Sequence, residues 1–171
     1  MALRTRKPLT SRPLDLLYTI WFIIHVLITI FVDMVPFYPR VLQLPILLKV
    51  RQDYITDWKD PLVISWPAWF RAFLIVEGLY QAPLCIWGIG ALRDDRPTAP
   101  VYLLVYAVET AVSTMTCLVE LFASTAVTWD EKMSLAWLYG AWAVVPGLMG
   151  LDMFMRIRRR LLADDKMVKN E

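Results

Sequence analysis

Four stretches of the chain are apolar for long enough to cross a bilayer, and polar residues interrupt each of them at helical spacing. They run from about Leu14 to Val35, from Pro67 to Leu92, from Pro100 to Phe122 and from Met133 to Met155. A hydrocarbon core about 30 Å thick takes roughly 20 residues of helix. That core holds no water, so each stretch must close its own backbone hydrogen bonds, which predicts four α-helices. Pro67 and Pro100 suit helix starts, because proline fits the first turn. The first stretch is too long for the apolar core of a signal peptide. It also ends in Asp33, Met34 and Val35 with no small-residue cleavage site, so it reads as a retained span.

The polar positions form rows. His25, Thr29 and Asp33 lie four apart, and Tyr18 extends that row. Glu77 and Gln81 share a face of the second span. Tyr102, Tyr106, Glu109, Ser113, Thr116 and Glu120 form a row in the third, and Tyr139, Trp142 and Pro146 line up in the fourth. Residues three or four apart share a helix face. A carboxylate at the centre of a spanning helix costs roughly 2.5–3.5 kcal/mol on insertion scales, so such residues face the bundle interior and pair there. Four rows pointing inward predict an all-α fold: an integral membrane four-helix bundle around a cavity of carboxylates, one imidazole and aromatic rings. Structural roles suit several of these residues equally well. Thr110 and Thr116 fit as backbone-bonded helix glue. Asp33, Glu120 and Asp152 lie near span ends, and His25 fits as a helix–helix hydrogen-bond partner. Glu77 and Glu109, at mid-span, carry the functional reading.

Pro36 to Trp66 is too long for a plain turn and mixes apolar residues with Lys49, Arg51, Asp53, Asp57, Lys59 and Asp60. Tyr54, Trp58 and Trp66 argue against disorder. The segment reads as an ordered lumenal cap with a short helix near the membrane surface. Arg4, Arg6, Lys7 and Arg12 precede the first span; Arg156, Arg158, Arg159, Arg160, Lys166 and Lys169 follow the last. Positive charge marks the cytosolic side, which places both termini there and requires an even number of spans. The whole chain, 1–171, reads as one domain with a basic cytosolic tail at 156–171.

Composition narrows the chemistry. Hydrophobic residues make up 58% of the 171 residues, and the net charge is only +2, which does not suit nucleic acid. Cys85 and Cys117 both sit inside apolar runs and read as small buried hydrophobes. A single histidine excludes multi-histidine metal sites, and there is no phosphate-binding glycine loop or nucleophile elbow, so no metal or cofactor is expected. An apolar cavity with carboxylates and aromatic faces suits an apolar ligand bearing one positive charge. A carbocation has the same needs, and an enzyme that moves a double bond requires an acid, a base and a stabilised cation between them. Sterol binding, binding of cationic amphiphiles and alkene isomerisation all remain open on these grounds.

Two stretches carry a family resemblance. "HVLITIFVD" at His25–Asp33 and "DWKDPLVISWPAWFRAFLIVEGLYQAP" at Asp57–Pro83 resemble the EXPERA-domain membrane proteins, which include the sigma-2 receptor and the emopamil-binding sterol isomerase. The K-D-P, P-A-W-F and E-x-x-x-Q-x-P elements are specific in combination, and the resemblance covers about Leu16 to Met155. It implies an endoplasmic reticulum bundle with a lumenal cap, a lipid-accessible pocket and a possible homodimer. By that resemblance Asp33, Asp60 and Glu77 shape the pocket, Glu77 supplies the carboxylate for cationic ligands, and Gln81 and Ser113 line the cavity. Thr29, Tyr106, Tyr139 and Trp142 complete the expected ligand-binding set. "WAVVPGLMGLD" at Trp142–Asp152 is more similar to the isomerase, whose matching tryptophan packs on the cationic centre. His25 and Glu77 match two of the isomerase's proton-handling residues, but Thr29 stands where its second acid would be; Asp33 or Glu109 would have to replace it. Three functions follow as expectations. One is a sterol- and cationic-amphiphile-binding receptor with a role in sterol transport or homeostasis. Another is a sterol or isoprenoid isomerase or cyclase using His25, Glu77 and Glu109. The last is a chaperone or targeting factor for membrane proteins.

Overall fold

The computed structural model of the chain describes residues 8–168. Helix α1 (Pro13–Ile28) continues directly into a π-helical turn at Thr29–Asp33. The cap holds α2 (Pro45–Trp58) and the short α3 (Pro61–Ser65). Helix α4 (Ala68–Val76), a second π turn (Glu77–Gln81) and α5 (Ala82–Arg93) form one continuous rod. Helices α6 (Ala99–Ala123) and α7 (Trp129–Val168) complete the chain, and no strand occurs among the described residues. Pro13–Asp33, Ala68–Arg93, Ala99–Ala123 and Trp129–Ala163 are long and apolar enough to cross a membrane. The fold is the all-α membrane bundle that the apolar runs predict.

Local chemistry explains the helix ends. Helix α7 begins several residues before the apolar run because Thr128 and Glu131 form a reciprocal cap. Thr128 N donates to Glu131 Oε2 at 2.9 Å, and Glu131 N donates to Thr128 Oγ1 at 3.4 Å. Asp60 caps α3, its Oδ1 accepting from Leu62 N at 2.9 Å. Lys59 and Trp66 on either side of α3 hold left-handed backbone angles, φ 49° and 53°. These two bends fold the cap back over the bundle.

Helix α6 packs along α7, and α1 packs along α5. Phe22, Cys85, Leu103, Tyr106 and Met149 are buried where these pairs meet. Gly88 lets α5 approach closely: a Cβ there would lie 2.9 Å from the Phe22 ring and 3.2 Å from Leu103 Cδ2. At the end of the bundle that holds the described N-terminus, Arg12 pairs with Asp15 at 2.6 Å and donates to the Leu92 carbonyl at 2.8 Å. Arg156 bridges Asp15 and Asp152, at 2.7 Å each. Both arginines, read from the sequence as marks of orientation, therefore also tie α1, α5 and α7 together. Arg4, Arg6, Lys7 and Lys169 lie outside the described residues.

The row expected in the third span needs correction. Tyr102, Thr116 and Glu120 face outward, Tyr102 being 52% exposed. The inward face runs through Leu103, Tyr106, Thr110, Thr114, Cys117 and Leu121. Both rows advance 18 residues in five steps, a 3.6-residue period, so the expected row has the right period and lies to one side of the inward face. Polarity also misled, because Thr116 spends its hydroxyl on the Val112 carbonyl at 3.0 Å and needs no interior partner. Tyr102 packs its ring on Trp87 instead.

Candidate ligand cavity

A cavity of about 260 Å³ lies between the spans and beneath the cap. Its apolar wall includes Ile28, Phe70, Phe73, Leu74 and Leu138. The wall also carries His25, Asp33, Glu77, Gln81, Ser113, Tyr139 and Trp142 from the expected set. Thr29, Asp60, Tyr106 and Glu109 do not line it. Each stands one layer behind and bonds a residue that does. Thr29 Oγ1 lies 2.6 Å from Glu77 Oε1, and Tyr106 Oη lies 2.7 Å from His25 Nδ1. Gln81 Nε2 donates to Glu109 Oε2 at 2.5 Å. Asp60 Oδ2 accepts from Tyr54 Oη at 2.9 Å and from Tyr139 Oη at 2.7 Å. Residue spacing finds polar rows; it does not separate a wall from its support.

The two π turns place the carboxylates. Met34 N donates to Thr29 O at 2.8 Å, five residues back, and Ala82 N donates to Glu77 O in the same pattern. A π turn takes more residues than an α turn, so residues four apart fall just short of one revolution. Residues four apart share a face in either geometry, so Thr29 with Asp33, and Glu77 with Gln81, both stay on the inward side. Single π turns of this kind recur at functional sites. The two turns also meet each other, since Gly78 lies against Met34 and leaves no room for a Cβ.

Hydrogen bonds tie the wall residues to one another. The Trp21 indole N–H is a donor only, and it points at Tyr106 Oη at 3.1 Å. Tyr106 Oη accepts from Trp21 and shares a second hydrogen bond with His25 Nδ1, whose direction follows the imidazole tautomer. The other imidazole nitrogen, Nε2, lies 3.4 Å from Glu77 Oε1. Thr29 Oγ1 lies between Glu77 and the His25 carbonyl, 2.9 Å from the latter. If Glu77 is ionised, Thr29 donates to it. If Glu77 is protonated, Glu77 donates to Thr29, whose own proton turns to the carbonyl. Glu77 can gain or lose a proton without orphaning either neighbour. Trp142 stacks edge-on to His25, with ring centres 4.7 Å apart, and also meets Trp21 at 4.4 Å. Asp33 differs: among the described residues no side chain or amide donates to its carboxylate, which faces the cavity unspent.

Several wall residues were not anticipated. Thr114 and Cys117 continue the true inward face of α6, four and seven residues beyond Thr110. Tyr54 and Trp58 come from the cap, one turn apart on α2, with stacked rings 6.5 Å between centres. Among the described residues no cluster of three or more His, Cys, Asp or Glu side chains is arranged to hold a metal ion.

Comparison with known proteins agrees with this architecture. The chain is 28% identical to the efficient mitochondria targeting-associated protein 19 of Schizosaccharomyces pombe over 154 residues, spanning 89% of this chain and 81% of that protein. It is 27% identical to the sigma intracellular receptor 2 of Homo sapiens over 154 residues, spanning 83% and 88%. The Saccharomyces cerevisiae efficient mitochondria targeting-associated protein 19 is 28% identical over 145 residues, spanning 75% and 90%. Residues 46–153, more than half of the chain, match the family model for EXPERA, the expanded EBP superfamily, and the chain belongs to that family.

Proposed function

We propose that this protein binds a sterol, or a similarly rigid apolar lipid with one polar end, inside the membrane of the endoplasmic reticulum, with both termini in the cytosol. The observation that carries this reading is the unspent Asp33 carboxylate facing a largely apolar cavity that also holds Glu77. A half-buried acceptor without a donor is costly, and a ligand hydroxyl or ammonium arriving from the bilayer would satisfy it. The apolar wall takes the body of the ligand, and its burial supplies most of the affinity. The test uses the full chain in lipid nanodiscs with a photoactivatable sterol. Labelling should be displaced by excess cholesterol and fall at least tenfold in Asp33→Asn. Labelling that survives competition refutes the reading.

The His25–Glu77 pair favours a second reading, proton transfer to and from an alkene. Nε2 of His25 and the Glu77 carboxylate lie 3.4 Å apart at the same cavity, with Trp142 at the imidazole edge. Incubation with an 8-ene sterol in heavy water would then give deuterium incorporation or a shifted double bond, lost in Glu77→Gln. Bound sterol recovered unchanged sinks this reading for that substrate. A role in targeting, suggested by the names of two relatives, predicts instead that changes in the cap or basic tail outweigh Asp33→Asn in cells.

A further inference from the structure

At the basic end of the bundle, far from the cap, a notch lies between α1, the α5–α6 turn and α7. Arg12, Arg96, Arg156 and Arg160 line it, with Asp15 and Asp95. The inner arginines are spent. Arg12 bonds Asp15 and the Leu92 carbonyl and lies 3.7 Å from Asp95. Arg156 bridges Asp15 and Asp152. The outer arginines are not spent. Arg96 reaches Asp94 only at 3.4 Å, and that carboxylate also serves Arg93 at 3.2 Å. Arg160 Nη1 donates to the carbonyl of Pro97, the residue after Arg96, and pairs with no carboxylate among the described residues. Arg93, Arg96 and Arg160 therefore gather at the outer rim around one carboxylate, Asp94.

The surroundings say what would relieve that crowding. Pro13, Arg93 and Ala99 are ends of three apolar spans, so the notch sits where hydrocarbon gives way to headgroups. Helix α6 starts there, and the positive end of a 25-residue helix adds to the arginine charge. The notch itself has room for about 10 Å³, no more than one water. An anion cannot enter it to reach Arg12 or Arg156 and must rest across its mouth, on Arg96 and Arg160. Planar guanidinium forks match the oxygens of a phosphate. Leu161 and Leu162 follow Arg160 on α7 and are exposed, at 61% and 49%. Bare apolar side chains beside unspent arginines suit a phosphate that carries acyl chains, not a free one.

We propose that Arg96 and Arg160 form a binding site for the phosphate of an anionic phospholipid at this end of the bundle. The site is separate from the cavity and does not depend on the sterol reading. Positive charge at this end also marks orientation, and Arg158 and Arg159 share that role without lining the notch. A built site requires that Arg96 and Arg160 matter more than those two.

The experiment measures lipid binding to the full chain in detergent by native mass spectrometry, with phosphatidic acid and phosphatidylcholine of the same acyl chains as probes. Phosphatidic acid should bind the parent at least tenfold tighter than phosphatidylcholine. Arg96→Gln with Arg160→Gln should weaken phosphatidic acid about tenfold and leave phosphatidylcholine unchanged. Arg158→Gln with Arg159→Gln removes the same charge and should change either lipid less than twofold. Arg96→Lys with Arg160→Lys keeps the charge and should stay within about threefold of the parent. Equal losses in the two glutamine pairs would report diffuse charge and overturn the site. A lysine pair as weak as Arg96→Gln with Arg160→Gln would report a disturbed turn and overturn it too. Parent binding that does not distinguish the two lipids refutes the proposal outright. Inorganic phosphate, at ionic strength matched with chloride, should displace phosphatidic acid less than twofold; full displacement would assign the arginines to free phosphate instead of a lipid.

Discussion

Asp60 offers the sharpest test of how the cap is held. Its side chain is fully buried and serves both ends of the cap. Oδ1 caps α3 through Leu62 N, while Oδ2 receives two tyrosine hydroxyls, Tyr54 from α2 and Tyr139 from α7. In Asp60→Asn the amide oxygen can still cap α3, but an NH2 group then faces both hydroxyls. It cannot accept their protons. Two charge-assisted hydrogen bonds are lost, each worth roughly 1.5–3 kcal/mol, and donation from the new amide recovers part of that. The expected net loss is about 3 kcal/mol, concentrated in cap opening. Tyr54→Phe and Tyr139→Phe each remove one bond and should cost about half as much. Combining either with Asp60→Asn should cost less than the sum, because the partners belong to one network.

Cys117 provides the assay without an added label site. It is 5% exposed, lines the cavity and packs among Leu62, Val63 and Phe70 under the cap. Cys85 is buried in the separate core between α1, α5 and α6, away from the cap. A loss of about 3 kcal/mol raises the open population roughly a hundredfold. Maleimide labelling followed by mass spectrometry should therefore show Cys117 reacting roughly a hundredfold faster in Asp60→Asn, with Cys85 little changed. If Cys117 keeps its parental rate, Asp60 does not hold the cap. If both cysteines accelerate together, the variant has lost the bundle rather than the cap, and the division into two cores is wrong.

Gly88→Ala should destabilise the bundle by about 1–3 kcal/mol, since its Cβ would enter the Phe22 ring and Leu103; thermal unfolding in detergent checks this. Arg156→Met leaves two partly or wholly buried carboxylates, Asp15 and Asp152, short of a partner, and should cost about 3 kcal/mol in the same measurement. Tyr106→Phe removes the hydroxyl that accepts from Trp21 and bonds His25 Nδ1, so the balance between the two imidazole tautomers should shift; nitrogen-15 shifts of His25 check this. Burial, and then Asp60, raise the pKa of the Tyr54 hydroxyl above its ordinary value. The folded chain therefore keeps a proton that the unfolded chain releases above about pH 10. Stability should fall as pH rises beyond that point, and less steeply in Tyr54→Phe.

The spans were legible because hydropathy over some twenty residues integrates many small preferences, and nothing local can cancel them. Glu77, Asp33, His25 and Trp142 were legible for the opposite reason, since a single polar or bulky residue in hydrocarbon must be accounted for individually. The supporting layer was less so. Thr29 reads as a missing acid when set against the isomerase pattern, yet in the fold it is the hydroxyl that lets Glu77 change protonation state without losing a partner. That role depends on the backbone carbonyl of His25, which no residue pattern displays. Asp60 likewise reads as a pocket carboxylate and instead holds the tyrosines that form the wall. The outward turn of Tyr102, Thr116 and Glu120 shows the same limit, because a row of polar residues marks an interior face only where those residues lack local partners.

The π turns give the most physical reason for what the sequence withheld. Each adds less than one residue to a helical revolution, and neither contains a glycine or proline pattern that announces it: "TIFVD" has neither, and the glycine of "EGLYQ" serves the contact with Met34. A regular helix through either segment would still bury enough apolar surface to span the bilayer, so hydropathy is indifferent to the choice. What the π hydrogen bonds change is the local rise and register of both spans at the level of the cavity, where Asp33, Glu77 and Gln81 all line it. Single π turns recur at functional sites, and here both fall where the carboxylates face the ligand space.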